Sequence, residues 1–154
     1  PTLYHDLPNF LEKIKSLGLD IKLDTNGTNT EMIKTLKSNA LVDYFAMDIK
    51  NDKDNYAKII GFDEYNTDKV EKTVEFFLSG KVDYEFRTTV TKTFHDESSL
   101  LEASHMIEGA SQWYLQTYRE SENVIDKSVE GYSEEEMKAL TEALRKTVPF
   151  VKLR

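Results

Sequence analysis

The feature that most constrains the fold is a regular alternation of short apolar runs with segments of helical periodicity. The runs are rich in β-branched and aromatic residues, as expected of buried strands. In chain order they are residues 20–24, 42–49, 83–90, 112–118 and 149–153. Helices between successive strands predict parallel pairing through right-handed crossovers. A complete barrel needs about 200 residues or more, so the chain can form at most a partial barrel or an open sheet. We predict an α/β fold: a partial (β/α) barrel with about four to five parallel strands.

Capping residues set the predicted helix boundaries. Asp6 is expected to cap the first helix, and Thr28 with Glu31 has the spacing of a capping box before the second. Asp96 and Ser133 are expected to cap the two later helices. The apolar face predicted for the first helix consists of Leu7, Phe10, Leu11, Ile14 and Leu17.

The polar segment 50–68, the three histidines and the single tryptophan are predicted to have only structural roles. Residues 50–68 are polar and are predicted to form a loop with at most one short helical turn. His5, His95 and His105 have no metal-ligand spacing, and we expect them on the surface or in helices. Trp113 is expected in the core.

Composition narrows the functional classes. A chain of 154 residues with 39% hydrophobic and 31% charged residues is predicted to form a single globular domain over 1–154. The net charge of −8 disfavours nucleic-acid binding, and no apolar run is long enough to span a membrane. The chain has no cysteine, which excludes a thiolate-ligated metal or iron–sulfur cluster on its own residues. A cytoplasmic location is the simplest expectation.

Polar side chains gather where the predicted strands end. In parallel α/β folds, ligands bind at the carboxyl ends of the strands. Such a rim, with carboxylates, cations and hydroxyls, suits a zwitterionic ligand that carries a ribose. The strand-end residues are Asp24, Thr25, Asn26, Asp48, Lys50, Arg87, Thr89, Gln116, Tyr118 and Arg119.

Each of these residues also has a purely structural interpretation. Residues 24–27 could simply turn the chain into the next helix. Asp48 and Lys50 could simply lie at the solvent-exposed start of a loop. Arg87 could form a purely structural ion pair with Asp48. Only their shared position at one sheet edge favours a binding site.

The motifs resemble a known family. "DTNGT", "DYFAMDIK", "RTTV" and "WYLQTYR" occur in this order in radical S-adenosylmethionine enzymes. The chain is most similar to the glycyl-radical-enzyme activating branch, in particular to activating proteins of anaerobic ribonucleoside-triphosphate reductase and to pyruvate formate-lyase activating enzyme. The resemblance covers residues 1 to about 120. Family members carry a CxxxCxxC loop and a Gly-Gly-Glu-Pro-Thr segment, of which Pro1-Thr2 resembles the end. The resemblance therefore implies a C-terminal fragment, with a 4Fe-4S cluster in the full-length protein only.

The resemblance also implies roles for individual residues. Asp24 and Thr25, with the Ala46 carbonyl, would hold a monovalent cation beside the methionine carboxylate of S-adenosylmethionine. Asp48 would face the methionine ammonium group, and Lys50 would lie near the ribose. Arg87 and Arg119 are also predicted to bind the cofactor. Arg119 occupies the position at which the formate-lyase activator has a ribose-contacting histidine.

Three functional hypotheses follow. The first is a fragment of an anaerobic radical enzyme, an oxidoreductase that generates a glycyl radical on a partner such as anaerobic ribonucleotide reductase. The second is a non-catalytic docking or regulatory module that keeps the partner-binding face. The third is an unrelated (β/α) barrel enzyme fragment that uses Asp48 and Lys50 for carbonyl or phosphate chemistry.

Overall fold

The predicted alternation of strands and helices is present in the structure. A computed structural model describes residues 1–122, 124 and 126–154. The described elements, in chain order, are α1 (Leu7–Lys15), β1 (Lys22–Thr25), α2 (Thr30–Ser38), β2 (Tyr44–Asp48), α3 (Lys53–Ile60), α4 (Asp68–Leu78), β3 (Tyr84–Val90), α5 (Glu97–His105), β4 (Trp113–Thr117), α6 (Glu134–Arg145) and β5 (Val151–Leu153).

The five strands form one parallel sheet with the order β1-β2-β3-β4-β5. Each strand therefore lies beside the strand that precedes it in the sequence. This order is that of a partial (β/α) barrel, whereas a doubly wound sheet reverses its strand order at a switch point. The predicted fold class is confirmed.

The chain divides into two compact units. The first consists of residues 1–48 and 66–86, and the second of residues 49–65 and 87–154. The organisation of 1–154 as one domain stays a prediction. In the part of the chain that the structure describes, every helix is too short or too polar to cross a bilayer.

An aromatic cluster around Phe77 forms the centre of the first unit. The Phe77 ring lies 5.4 Å from the Phe45 ring and 6.1 Å from the Phe86 ring, measured between centroids. All three side chains are fully buried. Phe77 belongs to α4, so this cluster attaches that helix to one face of β2 and to the start of β3.

The core of the second unit surrounds Trp113, which is fully buried as predicted. Parallel pairing places Trp113 opposite Val151 and Leu115 opposite Leu153. Helix α6 covers β4 and β5 with Met137 and Leu144, which are 0% and 2% exposed. Most of this unit's apolar burial comes from residues that the sequence pattern identified.

Three local predictions are wrong. Residues 53–60 form helix α3, not a loop, with Asp52 as N-cap and a left-handed C-cap at Gly61. Asn29, and not Thr28, caps α2, because its side-chain oxygen accepts the Met32 N–H at 3.1 Å.

The third wrong local prediction concerns the apolar face of α1, which is only partly buried. Leu7 and Leu11 are 5% and 3% exposed, whereas Phe10 and Leu17 are 54% and 74% exposed. Asp6 stands at the N-cap position of α1 without a side-chain capping bond. Helical spacing identified the helix but overestimated the width of its buried face.

Candidate functional site

In the first unit, two of the predicted carboxylates lie on the same face of the sheet. Parallel pairing places Asp24 beside Ala46. Asp48 is two residues beyond Ala46, and residues two apart in a strand point to the same side. Asp24, Ala46 and Asp48 therefore share the face opposite to that of Leu23 and Phe45, which are buried.

Strand geometry sets the spacing of these two carboxylates. Neighbouring strands are about 4.8 Å apart and residues two apart in a strand are about 6.6 Å apart, so the Cα atoms of Asp24 and Asp48 are separated by about 8 Å. Ala46 stands between them with only a methyl group. Asp24 is exposed and Asp48 is half-buried. Ala46 itself is 0% exposed, so the solvent-accessible residues among these three are Asp24 and Asp48.

The turn after β1 is held by hydrogen bonds within the first unit. The Thr25 hydroxyl is buried and accepts the Gly27 N–H at 3.1 Å. It also lies 3.5 Å from the Thr2 hydroxyl. The Thr73 hydroxyl donates to the Gly27 carbonyl at 2.7 Å. Thr25 thus has a structural function in the turn, and its role in holding a cation stays a prediction.

The opposite end of the same face carries a different polar group. The Lys22 ammonium donates to the Glu85 carboxylate at 2.8 Å, and the Tyr44 hydroxyl donates to its other oxygen at 3.4 Å. Glu85 is only 2% exposed, so this contact compensates the cost of burying its charge. These residues stand at the beginnings of the strands, away from Asp24 and Asp48, and we assign them to folding.

In the second unit, the short segment between β2 and α3 is fixed by several hydrogen bonds. The Ile49 N–H donates to the Arg87 carbonyl at 2.8 Å, and the Thr88 hydroxyl donates to the Ile49 carbonyl at 2.6 Å. The Asn51 amide donates to the Phe94 carbonyl at 2.8 Å. Lys50, the predicted ribose neighbour, is half-buried in the middle of this segment.

Sequence analysis missed His95, which is neither on the surface nor in a helix. It follows β3 in a loop and is 2% exposed. Its Nε2–H donates to the Lys50 carbonyl at 2.8 Å, and its Nδ1 accepts the Thr91 N–H at 3.2 Å. Burial lowers the pKa of His95 below 6.5, because the charged form loses its hydration. The only sequence signal was a histidine directly before the capping residue Asp96.

Apart from Asn26, which is in the first unit, the remaining predicted rim residues lie in the second unit. Arg87 is half-buried within β3, one residue before the buried Thr88. Arg119 is exposed after the end of β4. The Tyr118 hydroxyl is buried and has no hydrogen-bond partner among the described residues. The roles of Arg87 and Arg119 in binding stay predictions.

The chemistry of the side chains can be compared with the groups that the resemblance implies. A thiolate-ligated iron–sulfur cluster does not fit, because the chain has no cysteine. Among the described residues, no group of three or more His, Cys, Asp or Glu could hold a metal ion. The carboxylates of Asp24 and Asp48 fit an ammonium-bearing ligand.

A comparison with curated proteins finds a relative in sequence. It is a protein of Methanocaldococcus jannaschii named "Putative glycyl-radical enzyme activating enzyme". It is 27% identical over 161 residues, and the match covers 100% of this chain and 67% of that protein. The resemblance to glycyl-radical-enzyme activating enzymes is confirmed. No model of a known protein family matches the chain.

Several solved structures share the fold of this chain. A domain of pyruvate-formate lyase-activating enzyme from Bacteroides vulgatus superposes with a TM-score of 0.73 at 14% identity, over 96% of this chain and 89% of that one. Streptococcus suis SuiB bound to S-adenosylmethionine gives 0.75 at 16% identity, over 100% of this chain and 37% of that one.

A third structure, TYW1 with a lysine-pyruvate adduct bound, gives a TM-score of 0.73 at 19% identity, over 95% of this chain and 47% of that one. The chain thus spans less than half of the SuiB and TYW1 chains but most of the B. vulgatus domain. At these identities the structural matches establish the fold.

Proposed function

We propose that this chain is part of a radical S-adenosylmethionine activating enzyme that generates a glycyl radical on a partner enzyme. The observation that carries the proposal is the placement of Asp24 and Asp48 on one sheet face, at the ends of β1 and β2, with Ala46 between them. The curated relative favours this hypothesis over a docking module and over an unrelated barrel enzyme.

The cofactor would be held chiefly through its amino acid portion. The Asp48 carboxylate would accept hydrogen bonds from the methionine ammonium group, a charge-assisted interaction. Asp24 and Thr25, with the Ala46 carbonyl, would hold a monovalent cation that offsets the methionine carboxylate. Lys50, Arg87 and Arg119 are the proposed contacts to the ribose and the carboxylate.

S-adenosylmethionine supplies the deoxyadenosyl group with which such enzymes abstract hydrogen from a glycine. This chain's residues would bind and orient that cofactor. Because the chain offers no thiolate, we assign the 4Fe-4S cluster to none of its residues. The proposed partner is a glycyl-radical enzyme, for example anaerobic ribonucleoside-triphosphate reductase.

Replacement of Asp48 by Asn tests the proposal. A buried charge-assisted hydrogen bond contributes roughly 1.5–3 kcal/mol, so D48N in the natural full-length protein should weaken S-adenosylmethionine binding about tenfold or more. Calorimetric titration under anaerobic conditions measures the dissociation constant. The isosteric amide keeps the shape of the side chain, removes its charge and replaces one acceptor oxygen by an NH2 donor.

Glu64 provides the matched control, because it is an exposed carboxylate in the loop between α3 and α4, away from the ends of the strands. E64Q should bind the cofactor as the wild type does. A second readout is the glycyl radical itself, observed by electron paramagnetic resonance after incubation with reductant and the candidate partner. Equal affinities of D48N and E64Q would make Asp48 a structural residue and would refute the site.

A further inference from the structure

The two hydrogen bonds of His95 require one particular form of its ring. A carbonyl oxygen only accepts hydrogen bonds and a backbone N–H only donates them. The bonds to the Lys50 carbonyl and the Thr91 N–H are therefore satisfied together only by the neutral imidazole with its proton on Nε2. A doubly protonated ring would place an N–H against the Thr91 N–H.

The hydrogen bond from His95 holds the peptide group after Lys50 at its carbonyl oxygen. The neighbouring residues are held by other bonds, Ile49 through both main-chain groups and Asn51 through its side chain. Asp52 is held by accepting the N–H groups of Asp54 and Asn55 as the cap of α3. His95 thus helps to keep the main chain at Lys50, from which the Lys50 side chain extends, in one place.

We propose that His95 is a positioning residue that holds the Lys50 main chain so that the Lys50 ammonium group meets the ribose of the bound nucleoside cofactor. This inference rests on the proposed function, since it takes S-adenosylmethionine as the ligand of Lys50. His95 itself does not touch the cofactor in this assignment. It acts through Lys50 alone.

Charged groups on several elements surround the imidazole. The carboxylates of Asp52 and Asp96, the N-caps of α3 and α5, favour its protonation. Lys58 and Lys92 line a cavity of about 230 Å³ together with His95. The Tyr132 hydroxyl donates to the His95 carbonyl at 2.7 Å. Burial outweighs the carboxylates, so the ring is neutral at pH 7 and takes up a proton only in acid.

Three variants of the natural full-length protein separate the positioning role from a merely structural one. H95L removes both hydrogen bonds and should weaken S-adenosylmethionine binding about fivefold or more. H95Q keeps a donor near the position of Nε2 and should bind within about twofold of the wild type. T141V removes a buried hydroxyl that donates within α6 and serves as the control for lost stability alone.

A double-mutant cycle then asks whether His95 acts through Lys50. In a K50M background the H95L replacement should have no further effect on the dissociation constant, because the group that His95 positions is gone. A full additional loss in the K50M background would overturn the proposal. This readout does not depend on how much H95L destabilises the fold.

The pH dependence gives a second, independent readout. As the pH falls below 6.5 and through the folded-state pKa of His95, the wild-type affinity should drop relative to that of H95Q, which does not titrate. The ratio of the two affinities cancels any titration of the cofactor itself. A constant ratio, or H95L binding as tightly as T141V, would overturn the positioning role. Failure of the wild type to bind S-adenosylmethionine at any pH would instead refute the proposed function.

Discussion

At the scale of single residues, the turn after β1 requires glycine for two separate reasons. Gly27 has a φ of +75°, a conformation that side-chain-bearing residues rarely adopt. A Cβ at this position would also lie 2.1 Å from the Cε of Met47, a side chain that is fully buried. The backbone of this turn therefore approaches β2 as closely as it does only because residue 27 has no side chain.

G27A should lower the free energy of unfolding by about 2 kcal/mol or more, since backbone strain and a clash with Met47 add together. G18A is the matched control: Gly18 has a φ of +76°, but a Cβ added there would have no atom within 4 Å, so this variant reports strain alone, about 1 kcal/mol. Urea unfolding followed by circular dichroism measures both. If the two variants lose the same stability, Met47 does not restrict this turn.

Sequence reasoning succeeded at residues whose partners are near in the chain. The caps Asp96 and Ser133 were correctly predicted, because their partners lie three residues ahead. It chose Thr28 over Asn29 although the bond from the Met32 N–H to Asn29 is equally local, because both residue types are common N-caps. His95 was missed because its hydrogen bond to Lys50 joins residues 45 positions apart. Such contacts leave no local pattern.

At the scale of elements, a helix could be recognised from its apolar sequence periodicity only where it buries several residues on one face. Helix α4 shows a clear helical periodicity in its sequence because Val70, Val74 and Phe77 are all buried on one face. Helix α3 was missed because Tyr56 is its one fully buried residue. Strands were easier to recognise than short peripheral helices, since a buried strand is apolar along its whole length.

The capping box of α6 gives a test at this scale. The Ser133 hydroxyl accepts the Glu136 N–H at 3.2 Å, and the Glu136 carboxylate accepts the Ser133 N–H at 2.7 Å. S133A should therefore lower the free energy of unfolding by about 1 kcal/mol. S121A, at an exposed loop position, should change it by less than about 0.5 kcal/mol. Thermal and urea unfolding of both variants decide whether the cap stabilises α6.

At the scale of the whole molecule, the strand order was predictable because each crossover places the next strand beside the last. The position of Asp24 and Asp48 at strand ends followed from the same rule. What the sequence could not reveal is the register, which puts Ala46 between the two carboxylates. Register depends on which residues of neighbouring strands pair, and several registers suit a mostly apolar strand.

The acid and alkaline limits of stability follow from the direction of each pKa shift. Burial lowers the pKa of His95 below 6.5, so the unfolded chain binds its proton first and stability is lost as the pH falls below 6.5. Hydrogen bonds from Lys15 to Asp43, and from Ser99 to Asp96, lower the pKa of these carboxyl groups below 3.8. The stability that these two ionised carboxyl groups contribute is fully present above pH 3.8. It is lost as the pH falls through their lower, folded-state pKa values.

Alkaline solution acts on different groups. A hydrogen bond to Glu136 raises the pKa of Lys92 above 10.5, so the stability it contributes is lost only as the pH rises through that raised value. Burial raises the pKa of Tyr132 above 10.0, with the same sign. Stability should therefore be nearly constant between about pH 7 and about pH 10 and fall on both sides.

The variant H95Q tests whether His95 causes the first loss of stability on acidification. The wild-type chain should lose stability between about pH 6.5 and about pH 5, where the carboxyl groups of Asp43 and Asp96 are still ionised, whereas H95Q should show a flat profile over this range. The free energy of unfolding in urea, measured at closely spaced pH values, gives both curves. Parallel curves for the two proteins would mean that His95 is protonated equally in the folded and unfolded states. A buried imidazole predicts the opposite, because burial disfavours its charged form and only the neutral ring satisfies both hydrogen bonds together.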